Sequence, residues 1–383
     1  MNNYDAVLDF GSKNLRLGIF DQSLKNIYSS EKKITNSLDK SLNSIIRDAE
    51  KNLSTHLDNI IVLFDSPKFY SLDISIKKVF DHEILINKVY NKLIEEAHFI
   101  VSQNNFKDQI IHLIVNDIIV DDNKKLDKII EGIKIKSLIL EIKFICLSKI
   151  LIDEISNKFK MNNLKILNLY CSSYIKAFFH KKKLDDKNFF ILIDIGFERT
   201  TGLIFNENKL KYLKSIPLGS NNITKDISKV LKLNLEYSED LKIKFNRLAN
   251  ETSFNKTNSD KINLHSEVLK KNISIHLLKQ IIEARIIEII DLVISSNNYI
   301  NNFNSLTKPK LFLTGRGSKL LSTNYKLSII KSVSELTIFD ENDIDYCRSG
   351  LDYHKSDESL LTKIKKKEKK FGFFESFFNF FSK

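Results

Sequence analysis

Two short segments of the sequence place an aspartate and a glycine in the same pattern. Asp9 and Gly11 lie in LDFGSKNLRLGIF, and Asp194 and Gly196 lie in IDIGFERTTGLIF. A strand that ends in Asp-x-Gly and turns sharply into a hairpin exposes backbone N–H groups, and such turns bind phosphate oxygens. Two carboxylates can also hold Mg²⁺ and its water ligands between them. The repeat therefore predicts a phosphate clamp in which Asp9 and Asp194 are the metal ligands.

The residues beside the first turn have side chains that suit the same chemistry. Ser12 could add a hydroxyl group and Lys13 a positive charge to the bound phosphates. Asp and Gly are also ordinary turn residues, so either segment alone is a weak signal. The matched spacing and the matched hydrophobic context of the two segments favour the phosphate clamp over two unrelated turns.

The hydrophobic pattern predicts the same elements around both segments. Around the first, strands are expected at AVLDFG, NLRLGIF, KNIYSSEKKI and NIIVLF, with a helix over 36–56. Around the second, strands are expected at NFFILIDIG, TTGLIF, KLKYLKSIPLG and PKLFLTG, with a helix over about 274–296. A continuous apolar run such as NFFILIDIG is typical of a strand covered on both faces. The two copies predict an α/β fold with two related lobes, each built on a mixed sheet.

Residues 68–157 provide more chain than the first lobe needs. Their pattern predicts an alternating strand near the start, a helix over 84–102, the strands QIIHLIVNDIIV and KSLILEIKFICLS, and a helix over 149–159. These elements are expected to form a separate small α/β domain inserted within the first lobe.

The composition argues against several other classes of protein. Cys146, Cys171 and Cys347 lie far apart, which disfavours a zinc ribbon or a disulfide framework and suits a reducing compartment. The opening MNNYDAVLDF has no basic region before an apolar core, so no signal peptide is expected. The most apolar internal run, SLILEIKFICLSKILI, is interrupted by charges and is not expected to span a bilayer. These features predict a cytosolic chain.

The two Asp-x-Gly segments resemble the phosphate-1 and phosphate-2 motifs of the ATPase superfamily that includes actin, sugar kinases and heat-shock chaperones. LFLTGRGSKL at 311–320 resembles the adenosine motif of that superfamily. YSEDLKIKF at 237–245 resembles its Glu-x-x-Lys helix, which implies that Glu239 and Lys242 contact the ribose and the adenine. The resemblance implies an actin-like ATPase fold that binds ATP and Mg²⁺. The residues it implies for nucleotide binding are Asp9, Gly11, Ser12, Lys13, Asp194, Gly196, Thr200, Glu239, Lys242, Gly315, Gly317 and Ser318.

Within this superfamily the sequence resembles in particular the FtsA family of bacterial cell division proteins. The second copy continues into a Pro-x-Gly turn at Pro217 and Gly219, followed by a Thr-x-Asp-Ile helix at Thr224 and Asp226. LYCSSYIKAF at 169–178 is similar to the connecting helix of the family, and the insertion lies where FtsA carries its subdomain 1C. The resemblance implies lobe 1 at 1–67 and 158–190, subdomain 1C at 68–157, subdomain 2A at 191–231, subdomain 2B at 232–306, the completion of 2A and return to lobe 1 at 307–353, a basic linker at 354–370 and an amphipathic helix at 371–383.

Two parts of the sequence depart from the superfamily pattern. The phosphate-2 turn is usually rich in glycine but reads Gly-Phe-Glu-Arg-Thr at 196–200, and Arg316 stands where a second glycine is usual in the adenosine motif. Phe197 adds bulk near the phosphates. The Glu198 carboxylate would repel a phosphate by roughly 4 kcal/mol at about 4 Å and an effective dielectric constant of about 20, unless metal or Arg199 offsets it. No residue is identified as the general base, so weak or absent ATPase activity is expected.

The chain ends in a basic segment followed by a run of phenylalanines, KIKKKEKKFGFFESFFNFFSK. As a helix, 371–383 would carry most phenylalanines on one side and would be about 20 Å long, too short to cross a bilayer of about 30 Å. We expect it to lie in an anionic membrane surface. A core helix or a partner-docking helix is the alternative, but the basic tether favours the membrane, and the phenylalanine spacing disfavours nucleic acid. The residues assigned to this contact are Lys366, Lys367, Lys369, Lys370, Phe371, Phe373, Phe374, Phe377, Phe378 and Phe381.

The resemblance to FtsA also implies protein partners. The C-terminal tail of FtsZ is expected on subdomain 2B with Arg285 as a contributor, although an ordinary exposed helix charge explains Arg285 equally well. Later division proteins are expected on the insertion, and further copies of the chain in an actin-like protofilament. These features predict a scaffold that anchors FtsZ filaments to the inner face of the cytoplasmic membrane at the division septum.

Two other functions stay open. A pilus-assembly scaffold of the PilM type shares the inserted domain but is not expected to carry a terminal anchor. A metabolite kinase of the same superfamily shares the phosphate clamp but would gain nothing from a Phe-rich amphipathic tail.

Overall fold

A computed structural model describes residues 4–35, 37–183, 189–251, 275–294, 308–320, 333–339 and 343–356 of the chain. The strands are β1 (Tyr4–Phe10), β2 (Asn14–Asp21), β3 (Asn26–Lys33), β4 (Asn59–Phe64), β5 (Tyr70–Leu85), β6 (Asp108–Val120), β7 (Lys124–Leu126), β8 (Lys134–Ser148), β9 (Lys165–Cys171), β10 (Phe190–Ile195), β11 (Thr200–Asn206), β12 (Lys209–Ile216), β13 (Lys310–Thr314) and β14 (Glu335–Ile338). The α-helices are α1 (Leu38–Leu53), α2 (Ile86–Asn104), α3 (Lys149–Lys160), α4 (Ser172–Lys183), α5 (Ser220–Leu231), α6 (Leu235–Glu251), α7 (Ile275–Ile294) and α8 (Asp343–Lys355).

The chain divides into two compact units. Unit 1 comprises the described residues within 1–10, 14–184 and 343–383, and unit 2 comprises those within 11–13 and 185–342. The β1–β2 turn, residues 11–13, therefore groups with unit 2, although the strands on both sides of it belong to unit 1.

The first sheet of unit 1 has five strands in the order β3-β2-β1-β4-β9. β1, β2 and β3 follow one another as antiparallel neighbours, and β4 and β9 continue the sheet in parallel. β1 and β4 are mostly buried, as expected of central strands. α8 packs on β1, β2 and β4, and α1 packs on β2 and β3.

The sequence of α1 sets both of its ends. Ser37 is the N-cap, and its side chain accepts a hydrogen bond from the Lys40 N–H. At the other end, the backbone of Ser54 adopts the left-handed conformation, and its N–H donates to Glu50 O. Such caps satisfy backbone groups that have no partner inside the helix. The helix predicted over 36–56 is therefore present, with its ends two or three residues further in.

A second sheet of unit 1 has four strands in the order β5-β8-β6-β7, all antiparallel. α2 packs against β5, β6 and β8 over a core of aliphatic side chains that includes Leu93, Ala97 and Leu140. These elements lie inside the predicted insertion of 68–157. Its boundaries, and its equivalence to subdomain 1C, stay predictions.

The sheet of unit 2 repeats the topology of the first sheet of unit 1. Its order is β12-β11-β10-β13-β14, with antiparallel pairing from β12 to β10 and parallel pairing from β10 to β14. The core is rich in isoleucine, and α7 contributes Ile282, Ile286 and Ile289 to it. This repeat confirms the prediction of two related α/β lobes, each built on a mixed sheet.

The predicted C-terminal anchor lies outside the described residues, which end at residue 356. In the parts of the chain that the structure describes, no helix combines the length and the apolar character needed to cross a membrane.

Candidate functional site

The turn after β13 packs directly against the end of β10. Asp194 is 5% exposed and lies beside Thr314 in the parallel pairing of these two strands. Gly315 has a φ of +85°, in the left-handed region that favours glycine, and a Cβ atom there would overlap Asp194 Oδ1 and Ile195 O. The Gly317 N–H donates a hydrogen bond of 2.9 Å to Ile195 O. The predicted adenosine-motif glycines and the phosphate-2 aspartate therefore meet in unit 2.

The β10–β11 turn, residues 196–199, is tied to the start of α5. The N–H groups of Ser220 and Asn221 donate to Gly196 O and Phe197 O at 2.9 and 2.7 Å. Gly219 is required because a Cβ atom there would lie only 2.6 Å from Phe197 O. The N–H groups at a helix N-terminus can bind a phosphate. Here two of them bind carbonyl groups of the turn instead.

Glu239 and Lys242 lie one turn apart on α6 and anchor a cluster of charged and polar side chains. Lys13 Nζ lies 2.6 Å from Glu239 Oε1, and Lys242 Nζ lies 2.7 Å from Glu239 Oε2. The Thr224 hydroxyl donates to Glu239 Oε2. Lys242 is 3% exposed and also donates to Ser220 O at 2.9 Å and to Thr224 Oγ1 at 2.7 Å. Two ammonium groups and one hydroxyl group thus surround a single carboxylate.

The electrostatics of this cluster keep Glu239 negatively charged. Burial raises the pKa of Glu239, but the charge of Lys242 and hydrogen bonds from Lys13, Lys242 and Thr224 outweigh burial and lower the pKa to about 2. Burial lowers the pKa of Lys242, while the negative charge of Glu239 acts in the opposite direction. The negative charge of Glu239 is therefore stabilised chiefly by its partners.

The ring of Phe197 lies against the same lysines. Lys13 Nζ is 4.4 Å and Lys242 Nζ is 5.7 Å from the ring centroid, distances at which a cation is attracted to an aromatic face. The predicted effect of Phe197 was bulk near the phosphates. In the structure this bulk lies beside the lysine groups that would bind them.

Asp9, in unit 1, is enclosed by groups of the protein. Arg16 Nη1 donates to Asp9 Oδ2 at 2.6 Å, and Ser172 Oγ donates to Asp9 Oδ1 at 3.0 Å. The carboxylate is 4% exposed. Both of its oxygens have a donor, and a guanidinium beside it would repel a divalent cation. Among the described residues, no cluster of three or more His, Cys, Asp or Glu side chains could hold a metal. Asp9 therefore does not fit a direct Mg²⁺ ligand, and the predicted role of Asp9 and Asp194 in holding Mg²⁺ through its waters stays a prediction.

Seven of the predicted site residues stand in three places: Asp194 with Gly315 and Gly317, Lys13 with Glu239 and Lys242, and Asp9, which pairs with Arg16, a residue that was not predicted. The other predicted residues are Gly11 and Ser12, half-buried in the β1–β2 turn, Gly196 in the β10–β11 turn, Thr200, whose hydroxyl donates to Leu218 O at 2.8 Å, and Ser318, whose hydroxyl donates to Gly315 O at 2.6 Å. Their roles in nucleotide binding stay predictions.

Sequence reasoning missed Arg16. The signal was present in the hairpin register, because pairing Phe10 with Leu15 across the β1–β2 turn places Asp9 opposite Arg16. Residues directly opposite in an antiparallel pair lie close enough for their side chains to interact.

The predicted partner residue Arg285 binds within unit 2. Its Nε and Nη2 atoms donate to the two carboxylate oxygens of Asp226 at 2.5 and 3.0 Å, and Nη1 lies 2.8 Å from Glu288 Oε2. The bidentate pair links α7 to α5, which gives Arg285 a structural role. A role in partner binding stays a prediction.

The duplicated mixed sheet and its Asp-x-Gly hairpins define an actin-like ATPase fold. A chain of the PilM–PilN type IV pilus biogenesis complex has a similar structure, with a TM-score of 0.59, 12% identity and 89% of each chain covered. At this identity the likeness concerns the fold alone.

The sequence comparisons indicate the family. The model of the family "Cell division protein FtsA" matches residues 191–366. FtsA of Buchnera aphidicola is 30% identical over 139 residues, which cover 36% of this chain and 31% of that protein. FtsA of Helicobacter pylori strain J99 is 35% identical over 60 residues, covering 16% of this chain and 12% of that protein. The alignments thus span a third or less of these relatives. The predicted resemblance to FtsA is confirmed.

Proposed function

We propose that this chain is an FtsA-type scaffold of bacterial cell division, which binds ATP and anchors FtsZ filaments to the cytoplasmic membrane. The observation that supports it best is the match of the FtsA family model to residues 191–366, which include most of unit 2 and extend through α8 of unit 1. Assembly through copies of the chain is proposed from the resemblance to FtsA, and the duplicated mixed sheet is compatible with an actin-like subunit.

ATP binding is proposed at the residues gathered in unit 2. The Gly315–Ser318 turn beside Asp194 would hold the adenosine side, and Lys13 and Lys242 would neutralise phosphate charge. Because Asp9 does not fit a direct Mg²⁺ ligand, we assign the neutralisation of the phosphate charge to Lys13 and Lys242. Weak or absent hydrolysis is proposed, since the bulk of Phe197 lies beside the lysines.

Membrane anchoring is proposed for the C-terminal segment, on its sequence alone. Six lysines precede the phenylalanine run within 363–370. Each lysine near an anionic leaflet contributes about 1 kcal/mol, and each well-buried phenylalanine contributes about 1.5–3 kcal/mol. After the cost of ordering the helix, one such segment binds reversibly, and several on one filament bind by avidity. The protein would then act at the inner face of the membrane, at the division septum.

The proposed partners follow from the same family. The FtsZ C-terminal tail would bind within 232–306, with Arg285 as a contributor, and later division proteins would bind the insertion at 68–157. Actin-like protofilaments of the chain itself would present many membrane anchors together.

Liposome flotation tests the scaffold proposal. The full chain should float with anionic vesicles, and a chain that ends at Thr362 should stay in solution. The double substitution F374S/F378S should also abolish flotation, whereas the matched S376A/N379A on the opposite helix side should float. An FtsZ tail peptide should float only together with the full chain. Equal behaviour of the full and truncated chains would overturn the membrane anchor.

A PilM-type scaffold is the second candidate, because the fold is compatible with it and the resemblance implies an inserted domain in both kinds of scaffold. This alternative expects neither flotation of the full chain nor binding of the FtsZ peptide. A folded full chain that neither floats with the vesicles nor binds the FtsZ peptide would favour the PilM-type scaffold over the FtsA-type function.

A further inference from the structure

The Glu239 carboxylate occupies a set of donors that suits a phosphate oxygen. Lys13 Nζ and Lys242 Nζ lie 2.6 and 2.7 Å from its two oxygens, and the Thr224 hydroxyl donates to one of them. Two ammonium groups and a hydroxyl group are the donors with which proteins bind phosphate groups. The protein's own carboxylate already satisfies all three.

Among the described residues, Glu239 is the one acidic side chain that pairs with either lysine. Lys242 is 3% exposed, so water cannot easily replace Glu239 beside its ammonium group, and removing this partner without a substitute would cost free energy. The Lys13 side chain is 26% exposed and lies over the Phe197 ring. A phosphate that approached this cluster would meet a negative charge between the two positive ones. At about 4 Å and an effective dielectric constant of about 20, each such pair interacts by several kcal/mol.

We propose that Glu239 is an internal competitor for the phosphate groups of a nucleotide. It holds Lys13 and Lys242 in the absence of ligand, and a nucleotide binds by displacing it from at least one of them. This inference rests on the proposed nucleotide binding of unit 2 and adds its regulation: the free energy of breaking the Glu239 ion pairs sets the affinity.

The opposite role makes the opposite prediction. The resemblance of α6 to the Glu-x-x-Lys helix implies that Glu239 contacts the ribose or the adenine. As a ligand of the nucleoside, Glu239 would strengthen binding of ATP and would not affect a phosphate chain without a nucleoside. As a competitor, it weakens the binding of both ligands. The sign of the change separates the two roles.

The test measures the affinity of ATP and of inorganic tripolyphosphate for the full chain by isothermal titration. Three proteins are compared: the natural sequence, Glu239→Gln and Asp240→Asn. Asp240 is the exposed neighbour on the same helix, so it controls for the loss of one negative charge. Glu239→Gln keeps the shape of the side chain, and thermal unfolding of each variant verifies that it folds.

We expect Glu239→Gln to bind both ligands about ten- to a hundredfold more tightly, the range for freeing a hydrogen bond to a charged group. Asp240→Asn should change both affinities by less than about threefold. A folded Glu239→Gln protein that binds ATP equally or more weakly would overturn the competitor role but leave the proposed function intact. Binding of neither ligand to any of the three proteins would overturn nucleotide binding itself. Binding to Glu239→Gln alone would support the competitor role.

Discussion

His112 makes the stability of unit 1 depend on pH. It lies in β6 with 1% of its surface exposed, among the rings of Tyr170, Tyr174 and Tyr353. The backbone N–H of Cys171 donates to His112 Nε2 at 2.9 Å, so this nitrogen carries no proton. The proton of the neutral ring is therefore on Nδ1, which lies 3.1 Å from the Tyr353 hydroxyl oxygen. Protonating the ring would break the bond to Cys171 and bury a charge.

The magnitude follows from the pKa. Burial lowers the pKa of His112 to about 3, against an ordinary value of 6.5 in the unfolded chain. Between these two values the unfolded state binds a proton that the folded state does not. This contribution to stability is therefore present above the unfolded pKa and is lost as the pH falls toward the folded pKa. From pH 7 to pH 5 the loss from this residue alone is about 2 kcal/mol.

Urea unfolding followed by circular dichroism at pH 7 and pH 5 tests this reasoning. His112→Gln keeps one donor and one acceptor but does not titrate, so it should lose about 2 kcal/mol less than the natural sequence between the two pH values. The exposed His82 provides the control, since His82→Gln should reproduce the pH dependence of the natural sequence. An equal loss in the natural sequence and in His112→Gln would refute the tautomer and the burial argument together.

Two further substitutions test the candidate site and the proposed FtsZ surface. Gly315→Ala should destabilise the chain by more than Gly132→Ala, although both glycines have a φ of +85°, because a Cβ atom at Gly132 meets open space and one at Gly315 meets Asp194 and Ile195. In thermal unfolding, Gly132→Ala should lower the free energy of unfolding by about 1–2 kcal/mol through backbone strain, and Gly315→Ala should lower it by more. Equal losses would contradict the close packing of the turn after β13. Arg285→Gln should cost about 1 kcal/mol through the lost pair with Asp226 and should also weaken binding of an FtsZ tail peptide, whereas the exposed Lys279→Gln on the same helix should change neither. Unchanged peptide binding with reduced stability would leave Arg285 a purely structural residue.

The sequence by itself determined the fold class and the repeat. The Asp-x-Gly spacing and the apolar runs are local properties, and strand pairing across a short turn follows from them. Even the Asp9–Arg16 pair could be read from the register of the β1–β2 hairpin. The repeat of NFFILIDIG and AVLDFG predicted two mixed sheets because buried central strands must be apolar on both faces.

Only the tertiary structure decided the partners of polar and charged side chains that lie far apart in the chain. Lys13 and Glu239 are 226 residues apart in the chain, and His112 and Tyr353 are 241 apart. No local pattern links such residues. Their pairing depends on which elements pack together and on which donors are left without water once they do. Sequence reasoning therefore assigned Lys13 to phosphate and Glu239 to the nucleoside. The folded chain places these two charges 2.6 Å apart, and their roles toward a nucleotide stay predictions.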